Sequence, residues 1–186
     1  MSLRKFGALL FACALVGFIP AGAAEAATLR QVFEAVNQAV VVVRTESSAP
    51  APKGGWTSDE GLGSGVLVSA DGKVMTAAHV VQTADRIEVL FSDGQRSPAR
   101  VVSSLVRADV ALLELERPPR GIAPARLGDS SQAHVGDPVF VVGAPYALYH
   151  SLTSGHLSAR RKLSGAFTGG VPVEFLQTDA AINSGN

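Results

Sequence analysis

His79 sits in VMTAAHVV at the end of an apolar strand, where the small Ala77 and Ala78 leave open space beside its ring. Imidazole is the side chain whose charge changes near neutral pH, so this histidine is a candidate general base. A lone histidine in apolar company is equally a candidate core residue, and the local sequence leaves both readings open. Asp109 opens DVALLEL, which sets its carboxylate at the mouth of an otherwise apolar strand. Burying a carboxylate is costly unless it is paired or hydrogen-bonded. A histidine N–H is one partner that satisfies it, and an exposed aspartate at a strand start is the alternative.

The other histidines carry less. His134 and His150 lie in polar, turn-like surroundings and read as solvated surface residues, and His156 follows Gly155 in a strand-like stretch where it reads as packed. None pairs with a second histidine or a carboxylate at helical i+4 spacing, so a zinc site has no support and no cofactor is implied. GLGSG at 61–65 resembles a phosphate loop, but a strand follows it in place of the helix whose N-terminus would face an anion. These glycines read instead as a way for the chain to enter a strand without side-chain clashes.

The elements that must position these groups are mostly short strands. Thr28 with Gln31 resembles a capping box, and Leu29, Val32, Phe33 and Val36 follow at helical spacing, so a short helix is expected first. VVVVRT is β-branched and predicts a strand. Residues 46–63 turn to Ser, Pro, Gly and charge and read as a long exposed loop, with Trp56 as its anchor. SGVLVS and KVMTA flank Asp71 and Gly72, while RIEVLF is followed by Asp93 and Gly94. Both pairs suit tight turns. Further strands are expected at ARVVSS, DVALLEL, PVFVVG, SLTSGHLSA and VEFLQT, with the Pro-rich stretch 117–124 as a connector between two halves. Many short strands with Gly and Pro turns argue for an all-β barrel or sandwich.

Arg4 and Lys5 precede an apolar run from Phe6 to Ile19, and AGAAEAA supplies small residues for cleavage after Ala26. Residues 1–26 therefore read as a secretory signal, since the run is shorter than the ~20 residues that cross a bilayer. Cys13, the single cysteine, leaves with that segment, so no disulfide or thiolate site is expected in the mature chain. Of 186 residues, 160 then remain, with 14 Lys and Arg against 15 Asp and Glu. A charge so even and so scattered offers no footprint for nucleic acid or an anionic membrane.

In order along the chain, GSGVLVSADGKVMTAAHVV, DGQRSPARVVSSLVRADVALLEL, LGDSSQAHVGDPVFVVGAPY and LQTDAAINSGN resemble the protease domain of the HtrA (Deg) family of chymotrypsin-like serine proteases. The resemblance covers roughly residues 29–186. It implies two antiparallel β-barrels, the first over 27–122 and the second, incomplete in this chain, over 123–186. It assigns His79 as general base and Asp109 as the group that fixes its tautomer. Gly185 takes the position of an oxyanion-hole N–H donor, and Ala180, Ala181 and Ile182 shape a substrate pocket for a small or aliphatic side chain. In the family, AINPGN is followed by Ser-Gly-Gly, so the nucleophile is expected at position 187. Ser184 stands where the family usually has proline, and nothing around it supplies the Gly-x-Ser-Gly-Gly turn. The resemblance further implies unfolded or damaged polypeptides as substrates, homotrimers and a periplasmic or extracellular setting. The other expectation is a non-catalytic peptide binder on the same scaffold. A polypeptide of these 186 residues alone is expected to fold poorly and to leave casein uncut, because an open second barrel exposes strand edges.

Overall fold

The computed structural model describes residues 28–50, 54–143, 151–163 and 173–182. Helix α1 (Leu29–Asn37) opens it, and its N-terminus is the expected capping box. The Thr28 hydroxyl accepts the Gln31 N–H at 3.3 Å, and the Gln31 side-chain oxygen accepts the Thr28 N–H at 2.7 Å. Strands β1 (Val40–Pro50), β2 (Trp56–Leu67) and β3 (Lys73–Thr76) follow, then the short helix α2 (Ala78–Val81), β4 (Arg86–Leu90), β5 (Arg96–Leu105) and β6 (Val110–Leu115). These strands close into an antiparallel barrel in the order β1-β2-β3-β6-β5-β4, with β4 paired back onto β1. Strands β7 (Pro138–Gly143), β8 (Ser151–Leu163) and β9 (Val173–Thr178) form a separate three-stranded antiparallel sheet.

Closure works because alternate residues of each strand meet in one interior. Val41, Val43, Leu67, Val74, Val89 and Leu113 are fully enclosed there. Each such side chain contributes about 1.5–3 kcal/mol by leaving water. Small residues let the wall close. A Cβ on Gly65 would come within 2.9 Å of a Val74 methyl and 3.1 Å of the Met75 carbonyl, so β2 approaches β3 closely only because that side chain is absent. On the outer face the register sets both Lys73 and Arg100 directly opposite Glu114, and both hydrogen-bond its carboxylate. The Lys73 bond foremost holds the Glu114 carboxyl below its ordinary value.

Residues 46–63 depart from the sequence expectation. Apart from 51–53, which lie outside the described residues, they form the far half of a β1–β2 hairpin paired without interruption from Val40↔Val66 to Pro50↔Trp56. Polar composition marks a loop only by correlation. Here the ladder starts on core valines and extends outward, where residues 48–50 and 56–60 are exposed and apolar alternation is not required. Trp56, expected to anchor a loop, is 75% exposed at the end of this arm. The stretch after β6 has no regular element, yet it lies against the barrel, with Ile122 and Ala125 packed on the core and the Ala125 N–H donating to the Leu67 carbonyl at 2.9 Å.

Candidate active site

The β3–β6 pairing ends at Thr76↔Ala111, so the residues just past β3 and just before β6 are neighbours. Past β3 the chain makes the single turn α2, whose Ala78 and Val81 are buried. A turn anchored at those two positions turns His79 outward, with its side chain 71% exposed. His79 thus belongs to a helical turn after the strand, one step beyond the strand end expected for it. Before β6, a 3-10 turn (Val106–Ala108) ends on Asp109, whose φ is 51° and whose N–H donates to the Val106 carbonyl at 3.1 Å. It is the one non-glycine residue with positive φ among those described. Aspartate tolerates this left-handed conformation better than most side chains, and strain of this kind concentrates at functional sites.

The two side chains meet. One Asp109 carboxylate oxygen accepts the His79 backbone N–H at 2.9 Å, and the other lies 2.8 Å from the His79 ring Nδ1. Two contacts on one carboxylate fix both the position and the rotation of the ring. With Nδ1 carrying the hydrogen toward Asp109, Nε2 presents its lone pair to whatever stands in front of it. The backbone N–H of His79, ahead of the ring contact, lowers the Asp109 carboxyl from its ordinary value of 3.8.

Burial does not hold this pair together. Asp109 is 52% exposed, so the cost of an enclosed carboxylate, which made it a candidate in the sequence, is not paid at this position. An ion pair this exposed adds little to stability. Its geometry matters more than its energy. Because the folded value is depressed, the pairing contributes above the unfolded value and is lost as pH falls through the folded one. The Asp109 carboxyl is therefore expected to titrate below 3.8 in a carbon-detected NMR titration, with Asp109→Asn identifying the resonance.

A cleft of about 360 Å³ opens beside His79, walled by Thr45 and Ser47 of β1, residues 59–64 of β2, and Val80 and Thr83. Gly63 makes room for it: a Cβ there would stand 2.6 and 2.7 Å from the two Val80 methyls. Gly63→Val is expected to cost about 1–3 kcal/mol through overpacking, read as a lowered melting temperature, and to narrow this cleft. The glycines of 61–65 thus act as the sequence suggested, by admitting neighbours.

Across residues 63–186 the chain matches the family model described as a trypsin-like peptidase domain. Along its whole length it is 33% identical to a protein named as a probable periplasmic serine endoprotease, DegP-like, from Pseudomonas fulva, of which it covers 45%. The chain belongs to the HtrA (Deg) family of trypsin-like serine proteases. A second relative of the same name, from Ectopseudomonas mendocina, is 42% identical over 73% of this HtrA chain and 27% of its own length. The chain thus spans less than half the length of these curated relatives. Among solved structures, two of the HtrA-type protease AlgW with a decapeptide superpose with TM-scores of 0.76 and 0.71. Both are 28% identical, and each match covers 86% of this chain and 53% of the other. The closed barrel and partial second sheet are accordingly the chymotrypsin-like fold expected from the sequence.

The remaining expected site residues of the HtrA chain lie past β9. Ala180 is buried, while Ala181 and Ile182 are exposed. Gly185 and Ser184 lie outside the described residues, as does His150. The approach to Gly185 is tied to β8: the Thr153 hydroxyl donates to the Ala181 carbonyl at 2.7 Å, and the His156 backbone N–H donates to the Asp179 carboxylate at 2.6 Å. A Cβ on Gly155 would meet both the Asp179 carboxylate and the Ala180 backbone, so this glycine lets the segment lie against β8. The sequence signal for Gly155 is a glycine inside a strand pattern. His156 itself is exposed, contrary to the packed position expected for it. His134 is exposed as expected, with its backbone N–H bonded to Asp137 at 2.8 Å.

Proposed function

We propose that this chain is the part of an exported serine endopeptidase that carries the general base, with residues 1–26 as its secretory signal and the nucleophilic serine following Asn186. The observation that carries this reading is the two-point bond between Asp109 and His79. A serine hydroxyl is a weak nucleophile until an oriented base removes its proton. His79 Nε2 takes that proton as the hydroxyl attacks the peptide carbonyl, and Asp109 supports the imidazolium that forms. The Gly185 N–H, with that of the serine, binds the oxyanion, and His79 then returns the proton to the departing amine. Ala180, Ala181 and Ile182 bring no carboxylate to the acyl-side pocket, which fits a small or aliphatic residue there and not Lys or Arg. The names of the relatives support a periplasmic setting. Unfolded or damaged polypeptides are the substrates, a homotrimer is the expected assembly, and no cofactor takes part.

A fluorophosphonate probe tests the reading, because it labels only a serine activated by its base. In the full-length protein the label is expected on the residue after Asn186, and His79→Ala is expected to abolish it. Peptide binding with no labelling of the folded protein would establish the non-catalytic binder instead.

A further inference from the structure

We propose that Asp59 selects a basic residue on the leaving side of the bond that is cut. The inference rests on the protease reading above. Returning a proton from His79 Nε2 to the departing amine requires that amine, and the residue bearing it, to leave beside the imidazole. The acyl-side pocket belongs to Ala180, Ala181 and Ile182, which follow β9 in the other sheet. The cleft that His79 shares with β2 is therefore the one that receives the leaving side.

That cleft has a one-sided charge. Side chains alternate along β2, so Asp59 shares a face with Gly61 and Gly63, which form the floor. Glu60 borders the cleft but by the same alternation belongs to the opposite face, where it is paired with Glu46; the remaining polar walls are hydroxyls, among them Thr45, Ser47 and Thr83. Among the described residues no lysine or arginine lines it. The Asp59 carboxylate has no ion-pair partner among the described residues. The nearby cations belong to the opposite face of the same strands. Arg44 and Arg86 line a separate groove with Glu46 and Glu88, and Arg86 stands 3.9 Å from the Glu46 carboxylate. A side chain entering over the glycine floor therefore meets the uncompensated negative charge of Asp59. A long aliphatic stem ending in an ammonium or guanidinium fits both the apolar floor and the acidic end.

The test compares two fluorogenic peptides, identical except for Lys or Glu immediately after the scissile bond, with the full-length protease. The ratio of their kcat/KM values cancels any loss of folded enzyme, since one sample cleaves both. Lys is expected to be favoured by about twofold to fivefold at low ionic strength, as for one exposed charge contact. The preference is expected to fall toward one in about 0.5 M salt, where exposed charges are screened. Asp59→Asn is expected to remove it, Asp59→Lys to reverse it, and Glu116→Gln, in the outer groove, to leave the ratio unchanged. A ratio near one in the parent protein, or a preference that survives Asp59→Asn, overturns the proposal while leaving the protease reading intact. A folded full-length protein that cleaves neither peptide nor any neutral one overturns both.

Discussion

Replacing His79 with alanine in the full-length protease is expected to lower kcat on a peptide substrate by about 10⁴-fold or more, with KM little changed. The size of the effect follows from what the residue does. Without the imidazole, no base in the site takes the serine proton, and water or hydroxide must do so unaided. Asp109→Asn is expected to produce a loss of comparable size, about 10⁴-fold, by a different route. Its amide presents an N–H where the carboxylate presented an acceptor, so the ring turns or adopts the other tautomer and Nε2 no longer faces the serine with a lone pair. Because His79 and Asp109 act as a unit, the double variant is expected to be hardly worse than either alone. Steady-state kinetics on one peptide, with labelled-peptide affinity measured in parallel, checks all three. Retained peptide affinity with full loss of turnover is the protease outcome. Activity surviving His79→Ala would show that another group serves as base.

Leu113→Ala is expected to have the largest effect on stability, about 2–5 kcal/mol, or a fall of roughly 5–15 °C in melting temperature for a domain of this size. Leu113 is fully enclosed, and it sits on β6, opposite Val74 of β3 and next to Val101 of β5. Removing three methylene-sized groups there leaves a void bounded by strands that are hydrogen-bonded on both sides and cannot close in. The same strand begins one residue after Asp109. A partial loss of activity is therefore expected to accompany the loss of stability, read by thermal unfolding together with the peptide assay.

Much of the barrel was legible because each strand had to bury one face. VVVVRT, SGVLVS, KVMTA, RIEVLF and DVALLEL all became barrel strands, since a β-branched or alternating run bounded by turn residues has few other stable outcomes. The capping box at Thr28 and the turns at Gly72 and Gly94 were legible for the same local reason, and both glycines adopt positive φ. The outer half of the β1–β2 hairpin was illegible. Its pairing comes from a ladder begun elsewhere, and its own residues are polar on both faces, so no period marks it. His156 misled for a similar reason: a strand residue takes its burial from what covers that face, which the local sequence does not record.

The sequence by itself determined the elements, the identity of His79 and Asp109 as candidates, and the family to which they point. Tertiary structure decided that the two touch. They lie thirty positions apart, and their meeting depends on β3 and β6 being paired in one register and on the left-handed turn at Asp109. It decided too that their contact is an oriented surface pair and not a buried one. The cleft beside them was likewise invisible in the chain, because its walls come from β1, β2 and α2 and its floor exists only where glycines let those elements approach. Local preference is set by neighbours along the chain, whereas a site is set by strand register, and a shift of one residue in that register would point its side chains to opposite faces of the sheet.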